Sequence, residues 1–350
     1  MSKKIAQILR KTPFLDYFGS IDTLITSVEY DSRKCVEGSC FVAIRGNNFD
    51  GNNFIGQAIS KGAKLIVTDN EVIENNLNPD ITYLQVENSR KTLAEISHSF
   101  YDSPSSKIKV IGITGTNGKT TTTFVIKSIL ETAGKSVAII GTTGIYINGE
   151  KLETNLTTPE SSDLAKIFYV IAEQKVEFAV MEVSSVALIQ HRVDCIDFDI
   201  ACFTNLTQDH LDFHQTMDEY AISKKMLFDM VSDQAAIIVN SEDSYADYMI
   251  QSARSTKISK IGRSSSSYFK ILNENKSKTG NQFLLHFNGH LIDARTKLIG
   301  HFNIDNCAMA AAVCYLSGID TTTIEKGLYE ATGAPGRMHS ISLKNRAIGI

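Results

Sequence analysis

One short segment, Ile113-Thr-Gly-Thr-Asn-Gly-Lys-Thr120, constrains the fold of this chain more than any other. The run before it, Lys107-Ile-Lys-Val-Ile-Gly-Ile-Thr114, is apolar and β-branched, as a strand buried on both faces requires. The run after it, from Lys119 to Gly134, has helical apolar spacing and ends on glycine. Strand, glycine loop and helix in that order make a phosphate-binding loop. Gly115 and Gly118 let backbone N–H groups curl around phosphate oxygens at a helix N-terminus. Lys119 supplies a cation for the terminal phosphates, and the Thr120 hydroxyl a ligand for Mg²⁺. The pattern G-x-x-x-x-G-K-[ST] breaks at its first position, where Ile113 stands, so nucleotide binding rests on the flanks as much as on the loop.

The rest of the composition narrows the partners. The 350 residues are 43% hydrophobic and 21% charged with a formal net charge of -4, enough chain for two or three domains. Mild acidity gives no support for nucleic acid or a membrane surface as partner. No apolar run reaches the roughly 20 residues of a membrane helix, and Met1–Arg10 lacks the long apolar core of a signal peptide. A cytoplasmic protein, acting as a monomer, is expected. The six cysteines (35, 40, 195, 202, 307 and 314) form no CxxC pair, which favours reduced thiols packed as small hydrophobes over disulfides or zinc.

Apolar runs of strand length alternate with helical stretches along the chain. Cys40–Ile44, Leu65–Thr68 and Tyr83–Val86 read as strands before a helix at Ser89–Tyr101. The polar segment Asp102-Ser-Pro-Ser-Ser-Lys107 then marks a boundary, giving domains of 1–104 and 105–337. In the second, Ser136–Ile140, Phe178–Val183, Phe198–Thr204 and Ala235–Asn240 are further strands. The fold class is therefore α/β, an N-terminal α/β domain followed by a doubly wound, mostly parallel sheet, with ligands expected at the carboxyl ends of its strands. Tyr268–Leu272, Gln282–Phe287 and Leu291–Thr296 alternate around Asn288-Gly289, which predicts an antiparallel edge. Helices at about 304–317 and 322–332 follow.

Polar groups fall just past several strands. Glu182 ends Phe178-Ala-Val-Met-Glu182, where a carboxylate can serve Mg²⁺ beside the loop or cap a neighbouring helix. Asp209, His210, Asp212 and His214 crowd after the next strand, and His210 is the candidate metal or catalytic group among them. Thr216-Met-Asp-Glu219 is a capping box that opens a helix. On it, Lys224 has Tyr220, Ala221, Leu227 and Phe228 at spacings of three and four. A lysine in such a stripe is partly desolvated, which favours the neutral amine that reacts with CO₂ to form a carbamate. On the residues alone, snorkelling to solvent is the more ordinary outcome for it. Lys225, with Asp229 four residues on, reads as a solvated surface charge.

Taken together, these motifs resemble the Mur ligases, and within them the muramyl-tripeptide synthetase type. The likeness runs from about Ile25 to the C-terminus. It is carried by Tyr30-Asp-Ser-Arg33 with Gly46-Asn-Asn-Phe-Asp-Gly51, the Thr-Gly-Thr-Asn-Gly-Lys-Thr loop, and Leu156-Thr-Thr-Pro159. Met181-Glu-Val-Ser-Ser185, Gln190-His-Arg-Val193, Phe203–His214, Tyr220–Phe228, Gly300–Asn306 and Pro335-Gly-Arg-Met338 complete it.

The resemblance implies an ATP-dependent, ADP-forming amide ligase of peptidoglycan synthesis. Its substrates would be UDP-N-acetylmuramoyl-L-alanyl-D-glutamate and a diamino acid, meso-diaminopimelate or L-lysine. Position by position, Thr114, Gly115, Thr116, Asn117, Gly118, Lys119 and Thr120 would bind ATP, with Asn303, Asn306 and Arg337 near the nucleotide. Thr120, Glu182, His210 and a carbamylated Lys224 would hold Mg²⁺, so carbamylation becomes the favoured state of that lysine. Tyr30, Ser32, Asn47, Asn48 and Phe49 would contact the uridine nucleotide; Thr157, Thr158, Ser184, Gln190 and Arg192 would grip the muramoyl-peptide. Residues 1–104 would thus be the UDP-substrate domain, 105–337 the ATP domain, and 338–350 the start of a third, amino-acid-binding domain that the sequence leads one to expect in a longer ligase. Without that third domain, the expectation is a fragment of a longer ligase or a truncated product with partial activity at best; the alternative is a nucleotide- and UDP-sugar-binding remnant without ligase activity. Val186 and His339 depart from the family's usual His and Glu, which would tune substrate and inter-domain contacts. Folylpolyglutamate- and cyanophycin-synthetase-like ligases are the alternative within the superfamily; the Tyr-Asp-Ser-Arg and Leu-Thr-Thr-Pro segments argue against them.

Overall fold

The computed structural model describes residues 1–46, 49–72, 77–209, 214–336, 341–342 and 348–349. The expected site residues Asn47, Asn48, His210 and Arg337, and the departure at His339, lie outside the described residues. By density of contact the chain divides into two compact units. The first is Met1–Lys107 with Pro159–Ala172 and Ile189–Ile196; the second is Ile108–Thr158, Glu173–Leu188 and Asp197–Ile350. Segments 159–172 and 189–196, read from the sequence as part of the second domain, thus pack with the first.

The first unit is built on a five-stranded sheet of β1 (Asp16–Phe18), β2 (Ser27–Glu29), β3 (Ser39–Ala43), β4 (Leu65–Thr68) and β5 (Thr82–Gln85), in the order β1-β5-β4-β3-β2. Strands β2 to β5 are parallel and β1 is an antiparallel edge. Strands β3 and β4 are buried at every residue, which is why they read as unbroken apolar runs. Helix α1 (Ile55–Ser60) precedes β4. Helix α2 (Ser89–Phe100) starts where the Asn88 side chain accepts the N–H groups of Arg90 and Lys91, and buries Leu93, Ile96 and Phe100 in the core with Val42, Val67 and Leu84.

The second unit carries an eleven-stranded sheet. In chain order its elements are β6 (Lys109–Thr114), α3 (Lys119–Thr132), β7 (Val137–Gly141), β8 (Gly144–Ile147) and β9 (Glu150–Leu152). The chain then passes through helix α4 (Ser161–Glu173), all but its last residue part of the first unit, and returns with β10 (Phe178–Glu182), α5 (Ser185–Ile189), β11 (Ile200–Phe203) and α6 (Met217–Met230). Strands β12 (Ala236–Asn240), β13 (Lys257–Gly262), β14 (Phe269–Ser277), β15 (Gly280–Phe287) and β16 (His290–Thr296) precede α7 (Phe302–Leu316) and α8 (Thr321–Glu330). The spatial order is β9-β8-β7-β10-β6-β11-β12-β13-β14-β15-β16. Its middle, from β7 to β14, is parallel, and β14–β16 form the antiparallel edge that Asn288-Gly289 announces; both turn residues have positive φ. The opposite edge, β8 and β9, is antiparallel as well.

Helix α7 is buried nearly all round because its Ala and Cys side chains let neighbours close in; Cys307, Ala308, Ala310, Ala311, Ala312 and Cys314 are fully enclosed. All six cysteines are free, five of them buried, and burial pushes the Cys307 thiol up to about 12. Among the described residues no helix is long and apolar enough to cross a membrane.

Candidate active site

The sheet register sets the site. Strand β6 lies between β10 and β11, with Ile113 beside Glu182 and Thr114 beside Phe203. The carboxyl ends of three adjacent strands therefore deliver the glycine loop, Glu182 and the Thr204–Thr207 segment to one level. Ile113 is fully buried in β6, so the loop proper opens at Gly115, which is why the motif's first glycine is not needed. Gly115 has φ +146°, and a Cβ there would meet Thr204 Oγ1 at 1.9 Å; at Gly118, φ is +88° and a Cβ would meet Asn306 Oδ1 at 2.3 Å. Gly118 is also the N-cap of α3, whose first-turn N–H groups point toward the cleft end of the helix as a seat for an anion requires.

The loop is braced from β11. Thr204 Oγ1 donates to Asn117 O at 2.7 Å, Asn117 N donates to Asn205 Oδ1 at 2.9 Å, and Thr116 N to Asn205 O at 2.8 Å. Lys119 Nζ sits over the loop, donating to Gly115 O at 2.7 Å and Thr116 O at 2.9 Å. Asn303 and Asn306, on the first turns of α7, are joined by a 3.0 Å hydrogen bond and border the same cleft of about 1010 Å³ as the loop.

Glu182 is 1% exposed. Thr120 Oγ1 donates to its Oε2 at 2.8 Å, and Thr142 N to its Oε1 at 2.9 Å. Thr158 Oγ1 donates to the Glu182 carbonyl at 2.9 Å and accepts Ser184 N at 3.1 Å, fixing Thr158 at the end of β10.

Lys224 does not snorkel. Its side chain is enclosed, 1% exposed, and its amine donates to Gly115 O at 3.0 Å and stands 4.4 Å from the centre of the Tyr220 ring. Helix α6 begins at a cap in which Thr216 Oγ1 accepts Glu219 N, as the capping box predicts, and it points Lys224 inward. Burial, then the charge of Lys119, hold the amine well below a lysine's ordinary pKa, with Asp209 opposing. Tyr220 also stacks on His214, whose Nε2 is 2.7 Å from Ser185 Oγ, and its hydroxyl is 3.3 Å from Thr116 Oγ1. Lys225 pairs with Asp229 at 2.6 Å and is more enclosed than a solvated surface charge.

The expected substrate residues divide between the units: Thr157, Thr158 and Ser184 belong to the second, Gln190 and Arg192 to the first. Arg192 is paired with Glu160, Nε to Oε1 at 3.0 Å, and donates to Gln190 Oε1 at 2.6 Å; Arg90 approaches the same carboxylate at 3.4 Å. Tyr30 donates to Asp163 at 2.8 Å, and burial with that carboxylate raises its pKa. Ser32 donates to Gln57 at 2.6 Å, whereas Phe49 is 74% exposed. Sequence reasoning passed over Thr142, Asn205 and Thr207, which also line the cleft; each follows an apolar strand directly or within a few residues, and that position was the available signal.

A glycine loop at the switch point of a doubly wound sheet, with a carboxylate and an enclosed lysine beside it, defines a P-loop nucleotide-binding α/β protein. Residues 113–314 match the Mur ligase middle domain, and residues 24–101 match the Mur ligase family catalytic domain. The chain belongs to the Mur ligase family. It is 38% identical over 340 residues to the UDP-N-acetylmuramoyl-L-alanyl-D-glutamate–2,6-diaminopimelate ligase of Clostridium tetani, covering 97% of this chain and 69% of the relative. To the enzyme of the same name from Clostridium botulinum it is 40% identical over 325 residues, covering 93% and 66%. A solved structure of a ligase of that name superposes with a TM-score of 0.84 at 26% identity, over 97% of this chain and 69% of that one. The chain thus spans about two thirds of the length of these relatives.

Proposed function

We propose that this chain carries the ATP and UDP-substrate machinery of an ADP-forming ligase. It would add a diamino acid, meso-diaminopimelate or L-lysine, to UDP-N-acetylmuramoyl-L-alanyl-D-glutamate in the cytoplasm. The observation that carries the reading is the grouping of Thr120, Glu182 and Lys224 about the Gly115–Gly118 loop in a chain of this family.

A carboxylate is a poor electrophile until one of its oxygens becomes part of a leaving group. Transfer of the ATP γ-phosphoryl group to the glutamyl carboxylate gives an acyl phosphate and ADP. The amine of the diamino acid then attacks the acyl carbon, forming the amide and releasing phosphate. The first step brings two anions together, so it needs cationic charge and fixed geometry. The loop N–H groups and Lys119 would bind the phosphates, with Asn303, Asn306 and Arg337 near the rest of the nucleotide. Magnesium, when bound, supplies charge neutralisation between phosphate and carboxylate. Thr120 and Glu182 suit such an ion: the Thr120 proton is directed onto Glu182, which turns the hydroxyl lone pairs outward. Thr120, Glu182, His210 and Lys224 would hold it. The lysine would act as a carbamate, formed when its neutral amine bonds to the carbon of CO₂ and releases a proton. Tyr30, Ser32 and residues 47–49 would contact the uridine nucleotide, and Thr157, Thr158, Ser184, Gln190 and Arg192 the muramoyl-peptide.

The test is to incubate the chain with ATP, Mg²⁺, bicarbonate and the UDP-muramoyl-dipeptide, with diaminopimelate and lysine in separate reactions, and to look for tripeptide by mass spectrometry. Tripeptide establishes the ligase and names its amine. Saturable binding of both ATP and UDP-dipeptide without tripeptide limits the chain to the binding half of the reaction. Binding of neither ends the proposal.

A further inference from the structure

Thr142, just past β7, has no part in the roles above, yet it joins two residues that do. Its backbone N–H donates to Glu182 Oε1 at 2.9 Å, and its hydroxyl lies 3.1 Å from Glu182 Oε2. The same hydroxyl is 3.2 Å from the hydroxyl of Thr157, and both threonines border the nucleotide cleft. Glu182 Oε2 also accepts from Thr120 at 2.8 Å.

Counting protons gives this chain a direction. An ionised carboxylate only accepts, and a threonine hydroxyl has a single proton to give. The Thr142 proton is therefore committed to Glu182. The contact with Thr157 is then a hydrogen bond only if Thr157 is its donor. With its own proton turned toward Thr142, Thr157 offers the cleft lone pairs and no proton.

We propose that Thr142 is a positioning residue that makes Thr157 a hydrogen-bond acceptor, so that this corner of the cleft takes an amide N–H of the substrate and turns away a carboxylate. The identity of that substrate rests on the ligase reading above. A UDP-muramoyl-dipeptide has both kinds of group, amide N–H groups along its peptide arm and two carboxylates at its glutamyl end. An acceptor at Thr157 would hold the arm by its amides and leave the carboxylates to the cationic part of the site. Glu182 thereby orients a hydroxyl on each side, Thr120 directly and Thr157 through Thr142.

The experiment measures binding of UDP-N-acetylmuramoyl-L-alanyl-D-glutamate and, separately, of Mg·ATP by calorimetry. The proteins are the wild-type chain, Thr142→Val, Thr142→Ser, Thr157→Val and the Thr142→Val/Thr157→Val double variant, each checked by thermal unfolding. Thr142 is exposed in the cleft, so valine replaces it without a buried polar group being lost. Thr142→Val is expected to weaken UDP-dipeptide binding about fivefold, the worth of one hydrogen bond. Thr142→Ser, which keeps the hydroxyl, restores it, and Thr142→Val adds no further loss once Thr157 is valine. Equal losses from Thr142→Val in both backgrounds, or wild-type binding by Thr142→Val, overturn the proposal. Absence of UDP-dipeptide binding in the wild-type arm overturns the ligase reading and this one with it, and is visible before any variant is compared.

Discussion

Thr120 Oγ1 donates to Glu182 Oε2 at 2.8 Å, tying the first turn of α3 to the end of β10 across 62 residues of sequence. Glu182 accepts at both oxygens, from Thr120 and Thr142, so among the described residues it acts as an acceptor on both sides. In Glu182→Gln the amide NH₂ must face one of those donors. The expected result is a loss of at least about tenfold in the Mg²⁺-dependent part of ATP binding, with ATP binding in the presence of EDTA little changed. Calorimetry with and without Mg²⁺ separates the two. An unchanged Mg²⁺ dependence would leave Glu182 as a strand-end brace only.

Two glycines of positive φ give a matched pair. At Gly118 an added Cβ meets Asn306 Oδ1 at 2.3 Å, inside the nucleotide cleft; at Gly134, φ +73°, nothing lies within 4 Å. Gly134→Ala should therefore carry only the backbone cost of a left-handed alanine, about 1 kcal/mol, with ATP binding intact. Gly118→Ala carries that cost and also displaces Asn306, so its ATP affinity should fall well over tenfold. Denaturant unfolding together with ATP titration of both variants checks the contrast.

Much of this architecture was legible because buried parallel strands are apolar on both faces; β4, β6, β10 and β12 are found within a residue or two of where apolar runs place them. The β8–β9 hairpin was missed although Asn148-Gly149 has the same positive-φ turn as Asn288-Gly289. Its second strand, Glu150–Leu152, is exposed at every residue and so leaves no apolar pattern to read. Lys224 shows a different limit. Helical spacing put it in an apolar stripe, but the carbonyl that receives its amine belongs to Gly115, 109 residues away, and only the closed sheet brings them together. Arg192 was expected only to meet the muramoyl-peptide, and its pairing with Glu160 had no local signature.

The depressed pKa of Lys224 makes its chemistry depend on pH in a definite sense. Burial and Lys119 favour the neutral amine, and only that form takes up CO₂. Incubation with ¹³C-bicarbonate should give a carbamate resonance near neutral pH that disappears on acidification and is absent from Lys224→Met. Ligand binding that requires the carbamate should fall in CO₂-depleted buffer and return when bicarbonate is added. A wild-type protein with no such resonance under saturating bicarbonate would assign Lys224 a role as an amine.

His98 predicts how the first unit responds to acid. It lies on α2, 2% exposed, and among the described residues neither ring nitrogen has a hydrogen-bond partner. Burial alone lowers its pKa from 6.5 to about 4. Between those values the unfolded chain binds a proton at His98 that the folded chain does not, so stability rises with pH across this window and is lost as pH falls through it. From pH 7 to pH 5 this one residue should remove about 2 kcal/mol of unfolding free energy. His98→Phe keeps a ring in the core but cannot titrate, so its stability should fall by correspondingly less over the same range. Urea unfolding of both proteins at pH 7, 6 and 5 measures the difference between the two slopes. Parallel slopes would mean that His98 is solvated or hydrogen-bonded in solution and that the acid sensitivity of the first unit lies elsewhere.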